Sequence, residues 1–189
     1  ATSRLKQIDK LQLEEIKPSS RRFPYMKFSP TEKIHRLVVE IEELSQAFEA
    51  EQPLFKDVNL LLQAGKKLAV IGPNGIGKTT FLKTILNELK SQSGSIKWAD
   101  KANVGYFAQD HDDEFADDMT LLDWVAQWKG PEDDEQSLRG ILGRMLFSGD
   151  SIKKSVKVLS GGEKVRLILG KLILQQANVL ILDEPTNHL

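Results

Sequence analysis

Apolar residues recur along the chain in two patterns, which predict strands in some segments and helices in others. Residues 67–71 and 178–182 are short, nearly continuous apolar runs, which are typical of strands buried on both faces of a parallel sheet. Residues 80–90 and 164–175 instead place their apolar side chains at helical spacing. These four predicted elements flank the segments that carry most of the polar chemistry.

Three further segments have amphipathic helical patterns. They are residues 3–16, 119–129 and 135–147, and Pro18 ends the first of them. Residues 19–36 contain two more prolines and are predicted to be an extended connector.

The composition excludes disordered and membrane-spanning classes of protein. The chain has 189 residues, of which 40% are hydrophobic and 28% are charged, so it can form one good core and an appendage. No apolar run approaches the roughly 20 residues that a membrane helix requires. The chain has no cysteine, which is compatible with a reducing cytoplasm. We therefore expect a cytoplasmic protein that does not itself span a membrane.

The net charge of -1 conceals an asymmetry. Residues 1–36 hold nine Lys and Arg but four acids, which gives +5 and leaves -6 for the rest of the chain. The basic side chains of the first predicted helix could form a solvated surface. They could equally contact the phosphate backbone of a nucleic acid, and the sequence leaves both interpretations open.

Residues 72–80 read Gly-Pro-Asn-Gly-Ile-Gly-Lys-Thr-Thr and match the phosphate-loop pattern G-x-x-x-x-G-K-[ST]. Glycines allow backbone N–H groups to surround an oxyanion, because no side chain blocks the approach and φ is free. Lys78 would place its charge on the β- and γ-phosphates, and Thr79 would offer its hydroxyl to Mg²⁺. The alternative is a glycine-rich turn between a strand and a helix, which the flanking patterns make a poor explanation.

Two polar segments lie in the C-terminal third. Asp183 and Glu184 follow the predicted strand 178–182 directly, where an acidic turn is the simpler interpretation and a metal-binding pair is the functional one. Ser160 and Glu163 form a capping box at the start of the predicted helix, with Gly161 and Gly162 between them. The same glycines also make this helix N-terminus a candidate anion site.

GPNGIGKTT, LSGGE and VLILDEP resemble, in order and spacing, the Walker A, signature and Walker B motifs of ABC ATPases. The resemblance covers residues 37–189. It implies an α/β fold of the P-loop NTPase type, with a RecA-like core, an antiparallel β subdomain and a helical subdomain at about 115–165. It also implies that residues 1–36 are a linker helix and connector, and that 37–189 is an ATP-binding domain incomplete at its C-terminus.

The resemblance assigns a role to each candidate residue. Glu184 would be the general base, and Gln109, after the strand-like residues 104–107, would contact Mg²⁺ and the attacking water. The metal would be Mg²⁺, contacted by Thr79, Gln109 and Asp183. ATP would contact Phe48, Gly72, Pro73, Asn74, Gly75, Ile76, Gly77, Lys78, Thr79 and Thr80. Phe48 would stack on adenine, whereas Phe55 is predicted to pack in the core. Ser160, Gly161 and Gly162 would contact the ATP of a partner domain.

The sequence after the Walker B motif resembles that of one branch of the family. Residues 184–189 read Glu-Pro-Thr-Asn-His-Leu, as in ABC-F proteins, which have two ATPase domains in one chain and act on ribosomes. Residues 1–11 resemble the end of the linker between those domains. The expected partners are therefore ATP, the other ATP-binding domain of the full-length chain, the ribosome and transfer RNA.

Two other functions use the same core. The nucleotide-binding subunit of a membrane transporter is the main alternative, and a DNA-repair or chromosome ATPase is a weaker one because no coiled coil or zinc module is evident. The switch histidine of the family would lie downstream of Leu189, and His188 is too close to Walker B to be it. We therefore expect an ATPase that needs a partner domain and has little activity alone.

Overall fold

The computed structural model describes residues 23–49 and 52–185, so the predicted helix 3–16 lies outside the described residues. The described strands are β1 Leu37–Glu49, β2 Gln52–Gln63, β3 Ser93–Trp98, β4 Val104–Phe107 and β5 Val179–Leu182. The α-helices are α1 Lys78–Ile85, α2 Leu121–Ala126, α3 Glu135–Arg144 and α4 Gly161–Leu174. Short 3-10 helices occupy Asp112–Phe115, Gly149–Lys153 and Val156–Val158.

The first sheet is antiparallel, with strand order β2-β1-β3. The register of β1 shifts at Glu42–Leu44 against both neighbours, and Glu43 has a φ of 49°. Gly94 in β3 lies against this irregularity with a φ of 90°, and a Cβ at Gly94 would lie 2.5 Å from the carbonyl oxygen of Glu42. The pairing of β1 with β3 therefore requires glycine at this position.

The second sheet is a parallel pair in which β4 lies beside β5, from Val104 opposite Val179 to Phe107 opposite Leu182. Gly105 permits this pair to lie close to the end of α4, because a Cβ there would be 2.9 Å from the Cβ of Ala177. Parallel strands end at the same edge of their sheet. The residues that follow β4 and β5, including Gln109 and Asp183, are thus neighbours.

Two apolar clusters hold these elements together. One surrounds α4, whose Leu167, Ile168 and Leu172 are fully buried against α2, α3 and the 3-10 helices. The other lies between the antiparallel sheet and α1, where Phe55 packs edge to face on Phe81 with ring centroids 5.4 Å apart. The predicted core position of Phe55 is consistent with this contact.

The helices end earlier than the apolar pattern predicts, at Ile85 instead of 90 and at Arg144 instead of 147. Asn87 and Leu146 adopt left-handed φ values of 61° and 69°. Each donates its N–H to a carbonyl of the last helical turn. The residue after it donates its N–H to the carbonyl one position earlier in that turn. These are Schellman ends, in which the apolar side chains continue after the helix has stopped. Helix α2 is likewise shorter than the predicted 119–129.

The predicted strand at 67–71 is wrong. These residues form no strand, and Leu68, Val70 and Ile71 are exposed, Ile71 to 91%. A strand exists only where a neighbour completes its backbone hydrogen bonds, and no described segment pairs with residues 67–71. Residues 67–70 instead line a cavity of about 820 Å³ together with β5.

A compact polar cluster joins the segment after β4 to α4. His111 is buried against the ring of Phe107, with centroids 4.7 Å apart, and its Nδ1 lies 3.5 Å from Glu114. Lys171 of α4 donates to the other oxygen of Glu114 at 2.5 Å. Burial alone would raise the pKa of Glu114, but the hydrogen bonds and charges of His111 and Lys171 together lower it.

The connector before β1 is attached to the far end of α4. Thr31 donates a hydrogen bond to the side-chain oxygen of Gln176, and the amide of Asn178 donates to the carbonyl of Glu32 at 3.2 Å. Upstream, the N–H of Tyr25 donates to the carbonyl of Arg144 at 3.0 Å. The described part of the connector, residues 23–36, forms no helix or strand.

Replacing Gly94 by Ala should lower the free energy of unfolding by about 2–4 kcal/mol, since the new Cβ meets backbone and the φ is unfavourable. Urea unfolding followed by tryptophan fluorescence measures this change. Gly140→Ala is the matched control: its Cβ would meet nothing within 4 Å inside α3, so it should be neutral or stabilising. Equal losses in both variants would contradict the steric assignment.

Glu114→Gln should lower the free energy of unfolding by about 1 kcal/mol at pH 7, because Lys171 loses its charged partner. The folded-state pKa of Glu114 is lowered, so its contribution is complete above the ordinary value of 4.5 and is lost as pH falls through the folded value. The difference between variant and parent should therefore shrink in acid.

The control for this comparison is Glu135→Gln. Glu135 pairs with Arg139 at 2.6 Å on an exposed surface, where an ion pair contributes little. Urea unfolding is measured between pH 3 and pH 7, and at pH 7 it should show a change of less than about 0.5 kcal/mol for the control. The same small effect in both variants would refute the structural role of Glu114.

Candidate functional site

The loop between residues 71 and 78 is shaped by glycines in left-handed conformations. Gly75 has a φ of 80° and Gly77 a φ of 105°, values that other residues rarely adopt. A Cβ at Gly72 would lie 3.0 Å from the side chain of Ile76, so this glycine permits a tight turn. The backbone therefore closes around a small volume that contains no side chains from Gly72, Gly75 or Gly77.

Helix α1 begins where this loop ends. Gly77 occupies the N-cap position and offers no side-chain acceptor to the first helical N–H groups. The ammonium of Lys78 donates to the carbonyls of Gly72 and Pro73, each at 3.0 Å, and so lies inside the loop. Helix N–H groups, dipole and ammonium together make this volume attractive to an anion.

The carboxyl ends of β4 and β5 bring three polar residues together. The N–H of Asp183 donates to the carbonyl of Phe107 at 2.9 Å, which extends the parallel pairing beyond β5. The side-chain amide of Gln109 donates to Glu184 at 3.3 Å. Asp183 is 3% exposed, and its Oδ2 is buried with no hydrogen-bond partner within the described residues.

A cleft of about 310 Å³ joins these two features. Its lining comes from the phosphate loop and α1, from the segment after β4 and from the turn after β5. The predicted residues that it contains are Asn74, Gly75, Gly77, Lys78, Thr79, Thr80, Gln109 and Glu184. Asp183 lies beside this cleft and lines the larger cavity, which it shares with Lys78 and Glu184.

The donor set of the cleft suits Mg²⁺ bound together with phosphate. Thr79, Gln109 and Glu184 in the cleft, with Asp183 beside it, supply hydroxyl, amide and carboxylate oxygens, which are the ligand types that Mg²⁺ prefers. Within residues 23–49 and 52–185 there is no group of three His, Asp or Glu residues that could hold a metal by itself. Phosphate oxygens and water would have to complete the coordination of the metal, as is usual for Mg²⁺.

Ser160, Gly161 and Gly162 lie elsewhere, on an exposed surface at the start of α4. The hydroxyl and N–H of Ser160 both donate to Glu163, at 2.6 and 2.9 Å, which completes the predicted capping box. These hydrogen bonds lower the pKa of Glu163. None of the three residues lines the 310 Å³ cleft, so this helix N-terminus is available to a ligand from outside the chain.

The structure leaves one predicted contact undescribed and adds two residues. Phe48 belongs to β1, but its side chain lies outside the described residues. Leu54 forms part of the cleft wall beneath Gly77, and the phenol of Tyr106 lies against Asp183. The two-residue alternation of a strand places Tyr106 on the same face as Asp183 once the register of β4 with β5 is known.

No helix in the described residues is long and apolar enough to cross a membrane.

Comparison with curated proteins finds relatives across the whole chain. "Probable ATP-binding protein YbiT" of Escherichia coli is 55% identical over 189 residues, which are 36% of that protein. "ABC transporter F family member 5" of Arabidopsis thaliana is 36% identical over 197 residues, 28% of its length. The chain thus spans about a third of the length of these relatives. They confirm the predicted resemblance to ABC-F proteins.

Solved structures show the same fold. A bacterial Atm1-family ABC exporter with ATP bound matches 85% of this chain and 31% of its own, with a TM-score of 0.67 and 18% identity. CbiO1 from Clostridium perfringens, part of the ABC transporter complex cbiONQ, matches 80% and 67%, with a TM-score of 0.60 and 24% identity. The predicted fold of an ABC nucleotide-binding domain is therefore confirmed.

The family model described as "ABC transporter" matches residues 55–187. This range contains the phosphate loop, Gln109, the exposed Ser160–Gly162 surface and the two carboxylates after β5. The chain belongs to the ABC transporter family.

Proposed function

We propose that this chain is an ATP-binding and ATP-hydrolysing domain of an ABC-F protein that acts on the ribosome in translation. The observation that carries the enzymatic part is the convergence of Lys78, Gln109 and Glu184 on one cleft of about 310 Å³. These residues come from three separate segments of the sequence. A chance assembly of a phosphate loop, an amide and a carboxylate in one small cleft is a poor explanation.

Nucleotide binding follows from the loop geometry. The β- and γ-phosphates lie against the backbone N–H groups of residues 73–80, where Gly72, Gly75 and Gly77 allow close approach. The ammonium of Lys78 exchanges its two loop carbonyls for phosphate oxygens. Phe48, in β1, stacks on the adenine ring. Mg²⁺ neutralises charge on the phosphate oxygens when it is bound, with Thr79, Gln109 and Asp183 as its protein contacts.

Hydrolysis needs a positioned water and a base. Glu184 accepts a proton from water as the water oxygen bonds to the γ-phosphorus, while the bond from that phosphorus to the bridging oxygen breaks and ADP leaves. Gln109 already donates to Glu184, so the same amide orients the carboxylate and the water. The reaction yields ADP and phosphate.

The outward-facing Ser160, Gly161 and Gly162 support a partner domain in this function. Their helix N-terminus is exposed and does not line the chain's own cleft, so they contact the γ-phosphate held by the other ATP-binding domain of the full-length chain. In this organisation residues 1–36 are the linker and connector, and 37–189 belong to the ATP-binding domain. The chain alone has little turnover, because it lacks the reciprocal contact.

The ribosomal role rests on the relatives and on charge. An F family member is among the relatives, and residues 1–36 carry a net charge of +5. Lys and Arg side chains neutralise phosphate backbones, which suits ribosomal and transfer RNA as partners in the cytoplasm. The alternative is the nucleotide-binding subunit of a membrane transporter, which uses the same core.

Lys78→Ala should weaken ATP binding by the chain about 10- to 100-fold, because a charge-assisted contact to phosphate is lost. Ser160→Ala should leave this affinity unchanged in the monomer, since Ser160 serves another domain's nucleotide. Equilibrium binding of a fluorescent ATP analogue measures both effects. Lys83→Ala, in the same helix but outside the cleft, is the control, and equal losses for Lys78→Ala and Ser160→Ala would contradict the assignment.

The complete protein with Glu184→Gln should sediment with ribosomes in ATP, because blocked hydrolysis traps the bound state. There are two controls: the same protein sedimented with ADP instead of ATP, and the Lys78→Ala variant sedimented with ATP. Binding that needs ATP and weakens as salt rises supports the translation role. Absence of binding at moderate salt would favour the transporter subunit instead.

A further inference from the structure

Two buried polar atoms lie beside the proposed metal site, and Asp183, which carries one of them, acts electrostatically on Tyr106, which carries the other. The phenolic oxygen of Tyr106 and the Oδ2 atom of Asp183 are both inaccessible to solvent, and neither has a hydrogen-bond partner within the described residues. The phenol lies against the Asp183 carboxylate. A buried donor or acceptor without a hydrogen-bond partner lowers the stability of the fold. The burial of both atoms beside one site therefore needs an explanation.

The strand pairing explains why the two side chains meet. Tyr106 lies opposite Ile181 in the parallel register, and Asp183 is two residues beyond Ile181. Alternate residues of a strand share one face of the sheet, so Tyr106 and Asp183 lie on the same face. The hydrogen bond from the N–H of Asp183 to Phe107 holds this register at the end of the pair.

The electrostatics keep the phenol in its donor form. Burial raises the pKa of Tyr106 to about 12, and the negative charges of Asp183 and Glu88 act in the same direction. Asp183 is acceptor-only when ionised, whereas Tyr106 can donate one hydrogen bond. The ring packs in the core cluster next to α1, which restrains its position.

We propose that Tyr106 is a positioning residue, whose hydroxyl donates to Oδ2 of Asp183 and leaves the other carboxylate oxygen for the divalent cation of the nucleotide. This proposal rests on the function proposed above. Hydrogen bonds to a metal-binding carboxylate fix its orientation, and their loss commonly weakens metal affinity about 10- to 100-fold. If Tyr106 served packing alone, phenylalanine would replace it without effect.

The test uses the complete protein with Glu184→Gln, and with the nucleotide site of its other domain disabled at that domain's own phosphate-loop lysine. Binding of a fluorescent ATP analogue is titrated with Mg²⁺ and repeated with Mn²⁺. Tyr106→Phe should raise the half-saturating concentration of either cation about 10-fold or more. The affinity for the nucleotide without metal should stay the same, and the thermal unfolding temperature should fall only slightly, because the buried Oδ2 of Asp183 loses its donor.

Two comparisons make this result specific to the proposed hydrogen bond. Tyr25→Phe, at an exposed tyrosine 81 positions before Tyr106 in the sequence, should leave the cation titration unchanged. In an Asp183→Asn background, Tyr106→Phe should add no further shift, because the carboxylate that it orients is gone. An additive shift in the double variant would assign the effect to general packing and would overturn the proposal.

The two proposals fail in different ways. If the unsubstituted protein binds the analogue with no dependence on Mg²⁺, the proposed nucleotide site is wrong and the role of Tyr106 falls with it. If binding depends on Mg²⁺ and Tyr106→Phe titrates like its parent, only the role of Tyr106 is refuted.

Discussion

The parallel pairing of β4 with β5 is the constraint on which the rest of the site depends. Parallel strands carry their chain in one direction, so both strands deliver their following residues to one edge. Gln109 comes from one strand and Asp183 and Glu184 from the other, although 74 residues separate Gln109 from Asp183 along the chain. Without this pairing, the phosphate loop would have no carboxylates or amide beside it.

Helix α4 gives the pair its support. It packs on β4, and Gly105 allows the close approach that a larger residue would prevent. The ion pairs Glu114–Lys171 and Asp112–Lys164 attach the segment that carries Gln109 to the same helix. Gln109 is therefore positioned from two sides, by the strand before it and by the polar cluster after it.

The chemistry of this site could be predicted from sequence better than its backbone. Glycine spacing and the lysine at 78 identify the phosphate loop, because few other arrangements need that combination. Residues 67–71 show the limit, since an apolar run records the capacity to be buried but not the presence of a neighbouring strand. Tyr106 could not be singled out because an aromatic residue in a strand is ordinarily core.

Helix ends were missed for a related reason. Glycine usually marks a left-handed end, but here Asn87 and Leu146 adopt it, at a cost of about 1 kcal/mol each for residues with a Cβ. The apolar pattern continues past each of these residues and gives no warning. The irregularity of β1 at Glu43 could not be predicted from the sequence of β1 either. Only the glycine at position 94, in the neighbouring strand, indicates it.

Gln176, after the end of α4, also has a left-handed φ, and its side chain makes a contact that glycine could not make. Glycine would suit its φ of 51° better, but only a side chain can accept the hydrogen bond from Thr31. That bond fastens the connector to one end of α4, whose other end presents Ser160 about 20 Å away at 1.5 Å per residue. Helix α4 thus links two regions that are far apart in the sequence, the connector at its C-terminal end and the exposed Ser160–Gly162 surface at its N-terminal end.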